Sequence, residues 1–291
     1  MAKLSTDSVI SANKILCRRQ MSPPILSLWN GKISDLEIMC LKSWIAHGHT
    51  VHLYSYESLV GIPPQVILKD ARDIIPESQF KLYDGPTPVT KSTDAFSHLP
   101  FSDRFRFVML RMLGGLWLDM DMVLIKPIPA DMFAKPFFCS SERTLQAGAY
   151  KSKELLKPAI CALYVSEAES DLMVELVNCR MSDTDPWTGS KNFGKIVNTL
   201  GLREGVCPPS VFCDLNFWHV AHIQHSVSIT DSLPSLYGWP GSAVTLPAEA
   251  IGIHLWRGLL RKRNVASARD VHPQSYLGRL YTQVEALYSA L

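Results

Sequence analysis

Residues 102–121 read SDRFRFVMLRMLGGLWLDMD, and the fold turns on them. Phe105, Val108, Met109 and Met112, preceded by Phe101, recur at the spacing of one helix face. A helix is therefore expected over Phe101–Leu113, with Ser102 and Asp103 at its start. Gly114-Gly115 stands where such a helix would terminate. Leu116-Trp117-Leu118 then reads as a short buried strand, and Asp119-Met120-Asp121 closes it with two carboxylates two positions apart. On a strand both side chains point the same way, and at its carboxyl end they face the crevice where α/β proteins bind ligands. Two such carboxylates repel and are costly to desolvate unless a cation lies beside them. Oxygen donors favour Mg²⁺ or Mn²⁺, which complete their shells with substrate phosphates. Alone, a D-x-D is more often a polar turn. Here it follows a helix headed by Asp103 and Arg106, one turn apart on one face and able to hydrogen-bond a polyhydroxylated ligand.

Working upstream, Ile25-Leu26-Ser27-Leu28-Trp29 is a second short buried strand, ended by the turn dipeptide Asn30-Gly31. Ser34 and Glu37 have the spacing of a capping box. Leu36, Cys40, Leu41, Trp44 and Ile45 form one apolar helical face, and Gly48 ends the helix. Thr50–Ser55 is rich in β-branched and aromatic residues, so strand, helix and strand arrive in the order of a βαβ unit. Downstream, Val123-Leu124-Ile125 is extended. Residues Glu154–Leu200 look mainly helical, most regularly over Asp171–Cys179, and Val206–Trp239 falls into short irregular pieces. A last helix is expected over Ser275–Leu291, and no internal repeat is found.

The S-D-x-x-R…GG…D-x-D pattern of SDRFRFVMLRMLGGLWLDMDMVLIKP resembles the core of bacterial and fungal glycosyltransferases with a D-x-D-containing sugar-binding region. These are relatives of the α-mannosyl- and α-galactosyltransferases and of capsular polysaccharide enzymes. SLWNGKISDLEIMCLKSWIAHGHTVHLYSY resembles the family's opening strand and helix, and IGIHLW its late His-x-Trp segment, so the likeness runs from about Ile25 to Trp256. It implies an α/β fold of GT-A type: a Rossmann-like nucleotide-diphospho-sugar transferase domain with helical additions over 23–291. An N-terminal extension covers 1–22, and a closing segment and helix occupy about 251–291.

The resemblance also implies roles. Asp119 and Asp121 match the D-x-D, with Asp121 expected to contact the metal and Asp119 the ribose and metal-bound water. Asp103 and Arg106 match residues that hold the donor sugar; with the Asp pair they make the expected catalytic set. Leu28 and Trp29 match the segment lining the base, and Gly115 joins the donor-binding set. His254 and Trp256 match a C-terminal element that closes over the diphosphate, His254 also being a candidate metal ligand. The bland alternative for this element is a final strand buried through Ile251, Ile253 and Leu255. The implied cofactor is Mn²⁺ or Mg²⁺, and the implied reaction is transfer of a hexose, with retention, from a nucleotide diphosphate sugar. UDP-hexose is favoured over GDP-hexose as donor, and the acceptor is a glycan or glycolipid of capsule or lipopolysaccharide. A protein-glycosylating effector and a degenerate sugar-nucleotide-binding protein are the alternatives. The chain departs from the pattern at Gln146–Ala149, where the family has Asn before Ala, and at Arg257-Gly258, where related bacterial sequences carry Asn-Glu.

Composition narrows the partners. The 291 residues carry 29 Lys+Arg against 27 Asp+Glu, a net of +2, with 47% hydrophobic residues. That is enough for a large core and too balanced for a protein that grips nucleic acid. Six Arg/Lys (257, 261, 262, 263, 269, 279) and two acids (270, 285) give residues 257–291 a charge of 6 − 2 = +4. This basic segment can steer an anionic acceptor or touch a membrane surface peripherally. Seven cysteines without a CxxC pair fit neither a disulfide framework nor a zinc ribbon. With no signal-peptide h-region and no membrane-length apolar run, a cytoplasmic protein, at most peripheral to the inner membrane, is expected. His219, His222 and His225 lack the i, i+4 spacing of a helical zinc pair, and Cys207 and Cys213 read as small buried residues. Thr188-Gly189-Ser190 resembles a loop near the donor, with a plain turn as the alternative.

Overall fold

The computed structural model describes residues 22–80, 99–144, 155–179, 188–217, 220, 223, 246–262, 264, 265 and 267–291. The departure at Gln146–Ala149 and the three histidines at 219, 222 and 225 lie outside them. The chain enters as β1 (Ile25–Leu28) and turns into helix α1 (Asp35–Ala46), whose capping box is complete. The Leu36 N–H donates to the Ser34 hydroxyl, and the Ser34 N–H donates to Glu37 Oε2 at 2.7 Å. Strand β2 (Val51–Ser55) then pairs parallel with β1, as expected of a βαβ unit. The exposed edge strand β3 (Ile67–Asp70) and the short helix α2 (Glu77–Phe80) follow, neither of them foreseen.

Helix α3 (Leu99–Leu113) starts two residues earlier than expected, because Pro100 suits a first turn where no N–H is needed. Its buried face also differs. Phe101, Phe105 and Met109 are joined by Phe107 and Leu110, while Met112 is exposed. The helix is gripped on two sides, and Phe107 stacks on Phe193 at 6.5 Å between ring centroids. After Gly114 (φ +63°) and Gly115 (φ +98°) the chain forms β4 (Gly115–Leu118) and β5 (Met122–Leu124). A Cβ on Gly114 would lie 3.2 Å from the Ala168 and Glu167 backbone, so both the dihedral and the space call for glycine.

The expectation of helix over most of 154–200 is corrected. Residues Phe137–Thr144 and Leu155–Val165 are the long antiparallel strands β6 and β7. Among the described residues of this segment, helix appears only at α4 (Asp171–Asn178) and α5 (Thr188–Thr199). The run from Ala159 to Val165 is buried on both faces of the sheet, so it shows no alternation, and a continuous apolar run does not tell strand from helix.

Six described strands form one sheet in the order β3-β2-β1-β4-β7-β6. It is parallel from β3 through β4 and antiparallel beyond. The order reverses between β1 and β4, so the carboxyl ends of these two strands, at Leu28-Trp29 and Leu118-Asp119, flank a topological switch point. Helix α6 (Pro209–Phe212) leads toward β8 (Gly252–His254), which pairs antiparallel with β5 in a two-stranded ribbon. Short α7 (Arg257–Lys262) and terminal α8 (Tyr276–Ser289) complete the chain. The last helix sits where the sequence places it, with the Ser275 hydroxyl accepting from the Gly278 N–H at 3.0 Å. It packs on α1, where Lys42 meets Glu285 at 2.7 Å. Trp44 is fully buried beneath, its Nε1 donating to the Met122 carbonyl at 2.7 Å. That bond ties α1 to the start of β5, one residue beyond Asp121.

Candidate functional site

Beyond Leu118 the chain leaves the sheet, and the Met122 N–H donates to the Asp119 carbonyl at 2.9 Å. Asp119 and Asp121 therefore lie on a turn, which corrects the expected strand placement; each carboxylate takes its own partners, yet both face one cluster. Asp119 Oδ1 lies 2.9 Å from Arg106 Nη1 and accepts from Trp117 Nε1 at 2.6 Å. Asp121 Oδ1 lies 3.3 Å from His254 Nε2, and its Oδ2 accepts the Arg257 N–H at 2.9 Å. The ribbon explains the second set. Met122 is in register with His254, and the Leu255 N–H donates to the Asp121 carbonyl at 2.9 Å.

Arg106 organises the first set. Only 4% exposed, it donates through Nη1 to the Ile160 carbonyl at 2.7 Å and places Nη2 3.2 Å from Asp103 Oδ1. Its guanidinium also lies over the Trp117 ring at 4.8 Å. Burial raises the Asp103 carboxyl to about 7; Arg106 draws it down and Asp119 pushes it up. Near neutral pH Asp103 is thus poised between donor and acceptor. Gly189, at the head of α5, allows this burial, since a Cβ there would stand 2.2 Å from Asp103 Oδ2. Thr188-Gly189-Ser190 is accordingly the first turn of a helix pressed against Asp103, neither a loop nor a plain turn.

Burial works against a charged His254, but the Asp121 carboxylate, helped by Cys161 and Asp119, outweighs it and raises the imidazole to about 10. Burial pushes Asp121 the other way, and His254 with the Arg257 N–H brings its carboxyl below the usual range. One oxygen each of Asp119 and Asp121 and one ring nitrogen of His254 lie within 4.8 Å of one another. Two carboxylates and an imidazole suit Mn²⁺ or Mg²⁺. His254 Nδ1 is buried with no hydrogen-bond partner among the described residues, so the set keeps a nitrogen in reserve. These residues fit the implied cation.

Trp256 adopts φ +55°, so His254 and Trp256 do not share one side of an extended strand. Their rings nevertheless meet at 4.3 Å between centroids, and Trp256 Nε1 donates to the Leu215 carbonyl at 2.7 Å. Trp29, just past β1, carries the Arg257 guanidinium 4.6 Å above its ring. The same guanidinium pairs with the buried carboxylate of Glu37, the capping-box residue of α1. The departure at Arg257 thus has a structural counterpart: this arginine links the first strand, the first helix and Asp121. Leu28 is the last residue of β1, next in the chain to Trp29. Gly115 lies at the opposite end of β4 from Asp119, against Leu26, and is not brought to the cluster.

Sequence reasoning missed several residues here. Glu142 on β6 is a half-buried acid whose pKa rises through desolvation, with His254, Lys157 and Asp119 within electrostatic reach. Nothing in its local sequence marks it. Glu37 is visible only as a cap, and Arg257 only as a departure.

A family model described as capsular polysaccharide synthesis protein matches residues 87–177, the segment that holds α3, the double glycine and both acidic motifs. No curated protein matches. Among solved structures, the chain is similar to PaToxG glycosyltransferase at 14% identity, with a TM-score of 0.42, over 62% of this chain and 70% of that one. It is also similar to the galactosyltransferase LgtC, solved with donor and acceptor sugar analogs, at 11% identity, with a TM-score of 0.39, over 92% and 96% of the two chains. The family match supports the resemblance read from the sequence over the matched segment, and the chain is an α/β protein. Among the described residues no helix is long and apolar enough to cross a membrane.

Proposed function

We propose that the chain transfers a hexose from a nucleotide diphosphate sugar, UDP-hexose in the first place, to a glycan or glycolipid acceptor, with retention at the anomeric carbon. The observation that carries this reading is the convergence of Asp119, Asp121 and His254 at the switch point of the sheet, beside the Asp103–Arg106 pair. Asp119, Asp121 and His254 would hold Mn²⁺ or Mg²⁺. A cation there supplies charge neutralisation for the diphosphate as it leaves. The protein supplies the rest. Arg106 fixes Asp119 and Asp103 in place before substrate arrives. Asp103, titrating near neutrality, accepts from or donates to sugar hydroxyls. Leu28 and Trp29 border the base, with Arg257 stacked on Trp29 as a movable cover. Trp256, held against His254, keeps water from the reacting carbon. Ligation of a cation by His254 requires the proton it shares with Asp121 to leave, so cation and imidazolium are alternatives in one position.

Two observations make an active enzyme the better reading than a degenerate binding protein. The four acidic and basic side chains expected to act are all present, and they are positioned by buried contacts rather than left on a solvated face. A panel of nucleotide sugars incubated with the full chain and Mn²⁺ tests the proposal through release of free sugar. Hydrolysis of one donor, stopped by chelator and by Asp121→Asn, is the expected result. No turnover of any UDP- or GDP-sugar, with or without glycan acceptors, contradicts it.

A further inference from the structure

One buried pair of thiols has chemistry that sugar transfer does not use. Cys161 lies within β7 and Cys213 directly follows α6, with their sulfurs 3.3 Å apart and unbonded. The two residues are 3% and 1% exposed. Both sulfurs and one ring nitrogen of His254 lie within 4.8 Å of one another. His254 is itself buried, and its Nδ1 has no hydrogen-bond partner among the described residues. The Ser140 hydroxyl lies 3.0 Å from the Cys161 sulfur, Glu142 and Asp119 are within electrostatic reach of Cys213, and Asp121 contacts His254.

We propose that Cys161, Cys213 and His254 form a site for a thiophilic divalent cation, Zn²⁺ above all, distinct from the oxygen-donor site and sharing His254 with it. Zinc holds thiolate sulfur at about 2.3 Å and imidazole nitrogen at about 2.0 Å in tetrahedral geometry. Two sulfurs on such a centre stand roughly 3.8 Å apart, so opening the present contact by about half an ångström seats the ion. Three protein ligands leave the fourth position to water or to a carboxylate oxygen. Binding releases three protons to solvent: one from each thiol, and the one that makes His254 an imidazolium. The two positive charges of the ion are then matched by two thiolates around a neutral imidazole. Soft sulfur donors select Zn²⁺ over Mg²⁺ and Mn²⁺, so the two sites differ in the ions they prefer. A neutral His254 that binds the sulfur-bound ion through one ring nitrogen keeps its remaining proton on the other, and so has no nitrogen left for a second cation. Zn²⁺ is therefore an antagonist of Mn²⁺ at this junction.

Cadmium is the probe, because a bound thiolate gives it an ultraviolet charge-transfer band. The full chain, held in a phosphine reductant with excess Mn²⁺, is titrated with Cd²⁺ without nucleotide or sugar. A band saturating at one equivalent and reversed by Zn²⁺ is expected. It should persist in Cys207→Ser and weaken more than about tenfold in affinity in Cys161→Ser and in Cys213→Ser, each checked for native circular dichroism. A folded wild-type chain without the band, or a band equally strong in both serine variants, overturns the proposal. If the serine variants do not fold, zinc-edge X-ray absorption of the loaded wild-type chain decides. Two sulfurs at about 2.3 Å support the site, and an all-oxygen or nitrogen shell refutes it. None of these readouts involves the transfer reaction, so their failure leaves the proposed function standing.

Discussion

Arg106 shows how one side chain can fix a site before any ligand is present. It meets two carboxylates and a carbonyl through a planar fork, which a lysine's single ammonium does not reproduce. Arg106→Ala leaves Asp103 and Asp119 without their counter-charge in a buried setting, and a loss of about 3–5 kcal/mol in urea unfolding is expected. Arg106→Lys should recover only part of it. The neighbouring Asp103 gives the stability a pH dependence whose sign follows from its environment. Burial lifts its carboxyl to about 7 in the folded chain, against about 3.9 for a free aspartate. The unfolded chain therefore ionises first. The contribution is fully present below about 4, declines as pH rises through about 7, and is flat above. Asp103→Asn should remove this decline, read as the difference between two melting-temperature profiles over that range; parallel profiles would show that Asp103 ionises as freely folded as unfolded. Asp119 and Asp121 stood out in the sequence as paired acids at the end of an apolar strand, the resemblance added Asp103, Arg106 and His254, and the structure brings the five side chains together. The Arg257–Glu37 pair, 220 positions apart, and the Cys161–Cys213 contact, 52 apart, were not legible, since no local pattern links such partners.

Helices and strands with a clear period and a clear end were readable: α1 with its capping box, α3 with its double glycine, and α8 with Ser275. Strands β6 and β7 escaped because burial on both faces erases alternation. The closing segment is buried through Ile251, Ile253 and Leu255, as its plainer reading expects, and it carries His254 to within 3.3 Å of Asp121. Helix α5 offers a matched pair of tests. Gly189→Ala drives a Cβ into the body of the Asp103 side chain and should cost about 1–3 kcal/mol. Gly194→Ala on the same helix would place its Cβ 4.0 Å from Pro158 Cδ and should be neutral or stabilising by up to about 1 kcal/mol. Thermal melts of the two variants check the contrast, and equal shifts would mean that α5 does not press on Asp103.

Across the molecule, the residues of the cluster come from widely separated parts of the chain. Parallel β1 and β4 present Trp29 and Asp119 at one edge, α3 delivers Asp103 and Arg106, and the β5–β8 ribbon returns His254 from the C-terminal region. The terminal helix supports this layout from behind, through Leu277, Leu280 and Val284 in the core and the Lys42–Glu285 pair on α1. Removing residues 275–291 should abolish a cooperative melt, because Trp44 and the α1 face would lose their cover; a retained sharp transition would show that α8 is an accessory. The general α/β order was legible because strand, helix and strand recur early, whereas the ribbon was not, since it joins segments more than a hundred residues apart. The central claim is that the Asp119–Asp121–His254 group takes a divalent cation together with a nucleotide diphosphate. Titration calorimetry of UDP and of GDP into the full chain tests it, in Mn²⁺, in chelator, and in Mn²⁺ with a folded Asp121→Asn variant. The account expects one of the nucleotides to bind in Mn²⁺ and to lose at least about tenfold in affinity under each of the other two conditions; equal affinity under all three would contradict it.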